Sequence, residues 1–213
     1  MVRFCPRVVV PRICVVRVPV GDAGTLETAR LIAGLVREGS KDFFVRQKAI
    51  DIFRCFRVRP KDRLGEVSAL FEWVRRNVRY TRDIWQVETL HTARRLLELR
   101  AGDCDDMTIL LGAMLMSTGH PVRLMLAGYH PAKPQAYTHI YPEVNVRGRW
   151  IALDSTLPHP MGWQPRALWK RVHEIAKEEL KCSHNIRGRG SSTTFPTIPT
   201  DSPAATDSHR SRR

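Results

Sequence analysis

Apolar residues recur along this chain first with the period of a helix and then with that of a strand. Leu26, Ala29, Ile32, Ala33 and Val36 predict a helix over about 25–38, ended by Gly39-Ser40. Val45, Ala49, Ile52, Phe53 and Phe56 predict a second from about Lys41, stopped by Pro60. The clearest stripe is Val67, Leu70, Phe71, Val74 and Val78, with Glu66, Glu72, Arg75, Arg76 and Arg79 on the opposite face and Trp73 beside it. A short helix over 92–99 leads to Gly102. The apolar run Met107 to Met116 then carries a helix from Cys104 to Ser117, with Ile109, Leu110, Ala113 and Met116 facing inward and Gly119 as its stop. Strand signals follow over 122–129, 137–146 and 149–153, the last two joined by a tight turn at Arg147-Gly148. Pro165 opens a last predicted helix, Arg166 to about Lys181, with Leu168, Val172 and Ile175 on one side.

The two ends read differently. Residues 1–20 look extended, but Pro11 and Pro19 suit an edge strand or a surface strap better than a central strand. Beyond Cys182, Ser, Thr, Pro, Gly and Arg dominate, so 183–213 is expected to be a disordered tail behind one domain over 1–182.

Composition narrows the class. With 43% hydrophobic residues in 213, the chain has the material for a sizeable core. Its five cysteines (Cys5, Cys14, Cys55, Cys104 and Cys182) have no paired spacing, which argues against a zinc ribbon or a disulfide framework and for a reducing compartment. Arg3, Arg7, Arg12 and Arg17 interrupt the early apolar runs, so no signal peptide is expected, nor any membrane span. A cytoplasmic location is expected. The net charge of +14 is unevenly placed. Over 41–100, 15 basic residues face 8 acidic ones, whereas over 101–160, 4 face 5. The basic surplus therefore lies outside the segment with the candidate chemistry, and solvated Arg-rich helix faces explain it better than a nucleic-acid surface.

That chemistry begins at Arg100-Ala101-Gly102-Asp103-Cys104-Asp105-Asp106. A glycine turn and an acidic cap place a thiol at a helix N-terminus, where unpaired N–H groups and the helix dipole favour a thiolate. Asp105 and Asp106 in the first turn oppose that ionisation, so an imidazole partner is needed. His139, within Tyr137-Thr138-His139-Ile140-Tyr141, and Asp154, after Trp150-Ile151-Ala152-Leu153, stand in strand-like surroundings. Cysteine on a helix, histidine on a strand and aspartate on the next is an arrangement for nucleophilic thiol catalysis. His130 and His159, in loops flanking the same strands, are the rival bases. A metal set of Cys104, Asp105, Asp106 and His139 mixes soft and hard ligands without a recognised spacing, so no metal and no cofactor is expected. The methionines Met107, Met114 and Met116 read as helix packing.

These blocks resemble the transglutaminase-like cysteine-protease superfamily. The resemblance rests on Arg94 to Asp106, the Gly119-His120-Pro121-Val122-Arg123 exit, Thr138-His139 before an aromatic-rich strand, Trp150 to Asp154, and the run-up Glu72 to Tyr80. It spans roughly 62–160 and is closest to bacterial and phage-encoded members, including those of Mu-like prophages. It implies an α+β, papain-like core with helices first and the nucleophile helix packed on an antiparallel sheet. It also implies a triad of Cys104 as nucleophile, His139 as base and acid, and Asp154 orienting the imidazole. Two departures stand out: the usual proline before the pre-cysteine helix is replaced within His91-Thr92-Ala93, and the exit reads Gly-His-Pro where Gly-Ile-Pro is more usual. The implied oxyanion hole pairs the Cys104 N–H with a donor from a preceding loop, for which Trp85, Tyr80 and Gln86 are candidates. The implied activity is thiol hydrolysis or acyl transfer on amide bonds of a protein or peptide, hydrolysis favoured, with phage virion or assembly proteins among the expected partners. The alternative is a non-catalytic phage structural or binding module that keeps the fold.

Overall fold

In the computed structural model, the residues described are 16–19, 21–82, 89–133 and 136–175. Five helices and six strands follow in chain order. The first three are α1 (Asp22–Lys41), α2 (Phe43–Cys55) and α3 (Arg63–Asn77). Then come β1 (Arg79–Tyr80), α4 (Ala93–Leu99), β2 (Ala101–Gly102) and α5 (Cys104–Ser117). The rest is strand: β3 (Val122–Gly128), β4 (His139–Val146), β5 (Arg149–Ala152) and β6 (Trp169–Glu174). This is the α+β arrangement expected from the sequence.

α5 is the centre of the molecule. Met107, Ile109, Leu110, Leu111, Ala113, Met114 and Leu115 are each at most 1% exposed, so every face of this helix is covered, as its unbroken apolar run requires. α1 lies along it so closely that a Cβ on Gly39 would sit 2.8 Å from the Ala93 Cβ and 2.9 Å from the Ala113 Cβ. Beneath α5, a four-stranded antiparallel sheet runs β5-β4-β3-β6, and β1 pairs with β2 in a separate parallel two-stranded piece. The inner face of the large sheet presents Leu124, Leu126, Ile140 and Val144 to the helices. Met125, Ala127, Tyr141 and Ala152 form a smaller cluster, as the two-residue alternation of strands dictates. The β4–β5 hairpin turns through Arg147 and Gly148 with φ of 52° and 83°, as a tight turn of this hand requires.

Helix ends explain where the elements stop. Asp42, Asp62 and Thr92 cap α2, α3 and α4 with side-chain oxygens. α2 ends at Cys55, five residues short of the predicted stop at Pro60, and Phe56 is exposed instead of joining the apolar face. The carbonyls at the end of α5 are taken by two arginines from other helices: Arg46 donates to the Ser117 carbonyl, and Arg63 donates to Thr118 at 3.2 Å and Gly119 at 2.6 Å. The predicted helix over Arg166–Lys181 is corrected: Trp169–Glu174 is β6, paired antiparallel with β3 from Arg123↔Glu174 to Gly128↔Trp169. Residues 16–19 have no regular structure. The rest of the proposed N-terminal strap and the proposed tail over 183–213 lie outside the described residues. Among the described residues, no helix is long and apolar enough to cross a membrane.

Candidate functional site

Cys104 opens α5, and the local chain explains why. Arg100 takes the left-handed conformation at φ 52°, ending α4 and turning the chain into β2. At Gly102 a Cβ would meet the Asp106 Cβ and Oδ2, both at 2.6 Å, so only glycine fits. Asp103 then caps α5, accepting from the Asp105 N–H at 3.0 Å and the Asp106 N–H at 3.1 Å. Those are the helix-end N–H groups expected to favour a thiolate, and the Asp103 carboxylate already occupies them. The Cys104 thiol instead donates to Asp105 Oδ1 at 3.3 Å. Burial, together with the charges of Asp105 and Asp103, pushes the Cys104 thiol well above its ordinary range; only the Ile140 backbone N–H works in the other direction. The helix N-terminus does not activate this cysteine, because its own cap consumes the donors.

The opposite wall comes from β4 and the chain after β5. His139 is the first residue of β4, and Thr108 Oγ1 on α5 donates to the neighbouring Ile140 carbonyl at 3.2 Å, tying α5 to that strand. Asp154 lies just past the end of β5 and not within it. Its Oδ2 meets His139 Nε2 at 2.8 Å, while Oδ1 accepts from the Thr156 N–H at 3.1 Å and the Thr156 hydroxyl at 2.6 Å. Burial alone would raise the Asp154 carboxyl, but the bond and charge of His139 and the two bonds from Thr156 outweigh it and hold it below the usual carboxylate value. Nε2 is thus the ring nitrogen that Asp154 engages.

Cys104 and His139 line one cleft of about 290 Å³ together with Asp103, Asp105, Tyr80 and Arg82. Thr25, Thr28, Ala29 and Ile32 of α1 close one side of it. Tyr80 is the one oxyanion candidate among the described residues; burial, with Cys104 and Asp103, raises its phenol and so keeps it a donor. Trp85 and Gln86 lie outside the described residues. The rival histidines stand elsewhere: His130 Nδ1 accepts from the Ala132 N–H at 3.2 Å, and His159 stacks on Trp163 at 3.8 Å. Neither lines the cleft.

Residues 53–155 match the sequence model of the transglutaminase-like superfamily. The chain carries a transglutaminase-like domain. Among solved structures, it is similar to a candidate cysteine protease from Cytophaga hutchinsonii at 19% identity and a TM-score of 0.42, covering 61% of this chain and 47% of that one. A candidate protease from Parabacteroides distasonis follows at 13% identity and 0.47, covering 62% and 27%. A chain of the Rad4/XPC nucleotide excision repair complex follows at 14% and 0.41, covering 64% and 40%. The present chain thus spans less than half the length of each, and at these identities none of them bears on activity. No curated protein is similar enough to count as a relative.

The two departures from the superfamily pattern prove to be structural bonds around the transglutaminase-like domain. The His91 N–H and Nδ1 meet the buried Asp106 carboxylate at 2.8 and 2.9 Å, which fixes the approach to α4. His120, 3% exposed, bonds Glu66 Oε2 at 2.9 Å and thereby joins the exit from α5 to α3. Sequence reasoning missed both, since a histidine and an acid 15 or 54 positions apart carry no local signal. Among the described residues, Asp103, Cys104 and Asp105 bring ligand-type atoms within 4.8 Å of one another. One soft thiol and two carboxylates match no common metal, and both carboxylates already hold protein hydrogens.

Proposed function

We propose that the protein is a thiol hydrolase or acyltransferase acting on amide bonds of a protein or peptide, with Cys104 as nucleophile, His139 as general base and acid, and Asp154 orienting the imidazole. The observation that carries this reading is the His139–Asp154 bond at 2.8 Å, which sets the imidazole tautomer at the cleft that also holds Cys104.

The chemistry then runs in two halves. His139 Nδ1 takes the thiol proton as Cys104 Sγ attacks the amide carbonyl, and the oxyanion is met by the Cys104 N–H and, in this reading, the Tyr80 hydroxyl. The tetrahedral adduct collapses when the imidazolium hands its proton to the leaving amine, which leaves a thioester on Cys104. Water, deprotonated by His139, attacks the thioester and releases a carboxylic acid; a lysine amine in its place gives an isopeptide cross-link. Water is the first choice, since the bacterial members that the sequence resembles are regarded as proteases.

The test is acid-quench mass spectrometry of the protein after mixing with a peptide library, with and without dansylcadaverine. An acyl adduct on Cys104, absent from Cys104→Ala, is the expected result. Release as free acid identifies hydrolysis, and capture by dansylcadaverine identifies transfer. Asp154→Asn should fold yet turn over roughly 10²–10³-fold more slowly, because asparagine stabilises the wrong tautomer. Unchanged turnover would remove Asp154 from the triad.

One observation favours a second reading. The half-buried Cys104 thiol donates to Asp105, and burial with the charges of Asp105 and Asp103 opposes its ionisation, as befits a non-catalytic module such as a phage assembly component. In that case no substrate leaves an adduct on Cys104.

A further inference from the structure

Three acids, Asp103, Asp105 and Asp106, flank Cys104 in the chain, and their side chains do different work. Asp103 caps α5, and Asp106 holds His91. Asp105 takes part in the cap through its backbone N–H, while its carboxylate accepts the thiol of Cys104 at 3.3 Å. Asp105 is 8% exposed, so solvent does little to screen that carboxylate from the sulfur. Other ionisable groups among the described residues also face the cleft around the sulfur. Asp103 stands beside it, Tyr80 and Arg82 come from β1 and the residues after it, His139 from β4, and Tyr129 from the end of β3. Among them His139 is the natural acceptor for the thiol proton, yet in this arrangement the proton points to Asp105.

We propose that Asp105 is a latch on the nucleophile: its carboxylate holds the Cys104 proton in the resting protein, and the thiol reaches His139 only after that contact is broken by a bound substrate. This rests on Cys104 being the nucleophile. When the latch opens, the S–H bond breaks and the proton passes to His139 Nδ1, which leaves a thiolate and an imidazolium beside Asp154. Asp105 is thus a positioning residue that acts through Cys104. Its consequence is a thiol that resists alkylating agents and oxidants while the cleft is empty, although it belongs to a catalytic site.

Asp105→Asn keeps the shape of the side chain and removes its charge. The measurement is the rate of Cys104 alkylation by iodoacetamide from pH 6 to 10, read by mass spectrometry of the Cys104 peptide, with circular dichroism to verify the fold. The variant should react at pH 7 about tenfold faster than the parent or more, with its whole profile moved to lower pH, since a like charge next to the sulfur has been removed. Asp105→Glu, which keeps a carboxylate, should stay close to the parent. If Asp105→Asn does not fold, Asp105→Ser carries the same expectation. A folded uncharged variant whose profile is unchanged, or moves to higher pH, overturns the latch. The two readings fail separately. A thioester on the parent protein with an unmoved Asp105→Asn profile sinks only the latch. A moved profile with no adduct from any substrate sinks the catalytic reading and the release by substrate with it, and leaves only the hold of the Asp105 charge on the thiol.

Discussion

At the scale of single residues, the members of the candidate site were legible and their environment was not. Cys104 stood out at a predicted helix start between acids, and His139 and Asp154 stood out through their strand contexts. The structure brings the latter two to 2.8 Å and places His139 in one cleft with the cysteine. What the sequence could not convey is how Asp103, Asp105 and Asp106 divide their bonds, because a carboxylate in a first helical turn reads the same whether it caps, holds a thiol or ties a distant loop. From the sequence, a helix N-terminus and an imidazole partner together favour a thiolate at Cys104. Asp103 takes the Asp105 and Asp106 N–H groups and Asp105 accepts the thiol, and both bonds work against that thiolate in the empty cleft. Cys55, exposed near the end of α2, should label faster than Cys104 when native protein meets limiting iodoacetamide near pH 7. Peptide mapping decides it: prior labelling of Cys104 would show that His139 already ionises the thiol in the empty cleft.

At the scale of elements, periodicity located the helices because their apolar faces meet a common partner. Every residue of the third stripe, Val67, Leu70, Phe71, Val74 and Val78, is buried. β6 was misread for a physical reason. Leu168, Val172 and Ile175 have helical spacing, but Leu168 is 59% and Val172 38% exposed, so their spacing records no buried face. The segment is a strand because β3 offers an open edge, and six paired positions on it outweigh a weak local preference. The joint between α3 and the α5 exit gives a prediction at this scale. Burial, with the nearby Arg63 charge, lowers the His120 pKa below its ordinary value of 6.5 even though Glu66 works against the shift. An unfolded chain therefore takes up this proton before the folded one as pH falls. The contribution is fully present above about pH 6.5 and is lost as pH falls through the lowered value. His120→Gln keeps a donor toward Glu66 and does not titrate. Melting temperatures measured from pH 7.5 to 5 should fall further for the parent than for this variant; parallel curves would mean that folding leaves the His120 pKa where it is in the unfolded chain.

At the scale of the molecule, the segment recognisable by family and the segment that folds differ. The superfamily match covers 53–155, yet α1 and most of α2 precede it and β6 follows it. α1 covers α5 with Ala29, Ile32, Ala33 and Val36, none more than 7% exposed, and a Cβ on Gly112 would lie 3.0 Å from Val36. It also walls the cleft through Thr25 and Thr28. Without it, a helix apolar on every face would turn one side to water, and removal of β6 would leave β3 as a bare edge. A fragment of 53–155 should therefore lack a cooperative urea transition and bind a hydrophobic dye, whereas a fragment of 16–175 should unfold in one step. Urea denaturation followed by circular dichroism compares the two. A sharp transition in the shorter fragment, with a midpoint close to that of the longer, would show that α1 and β6 are additions to a core that stands without them.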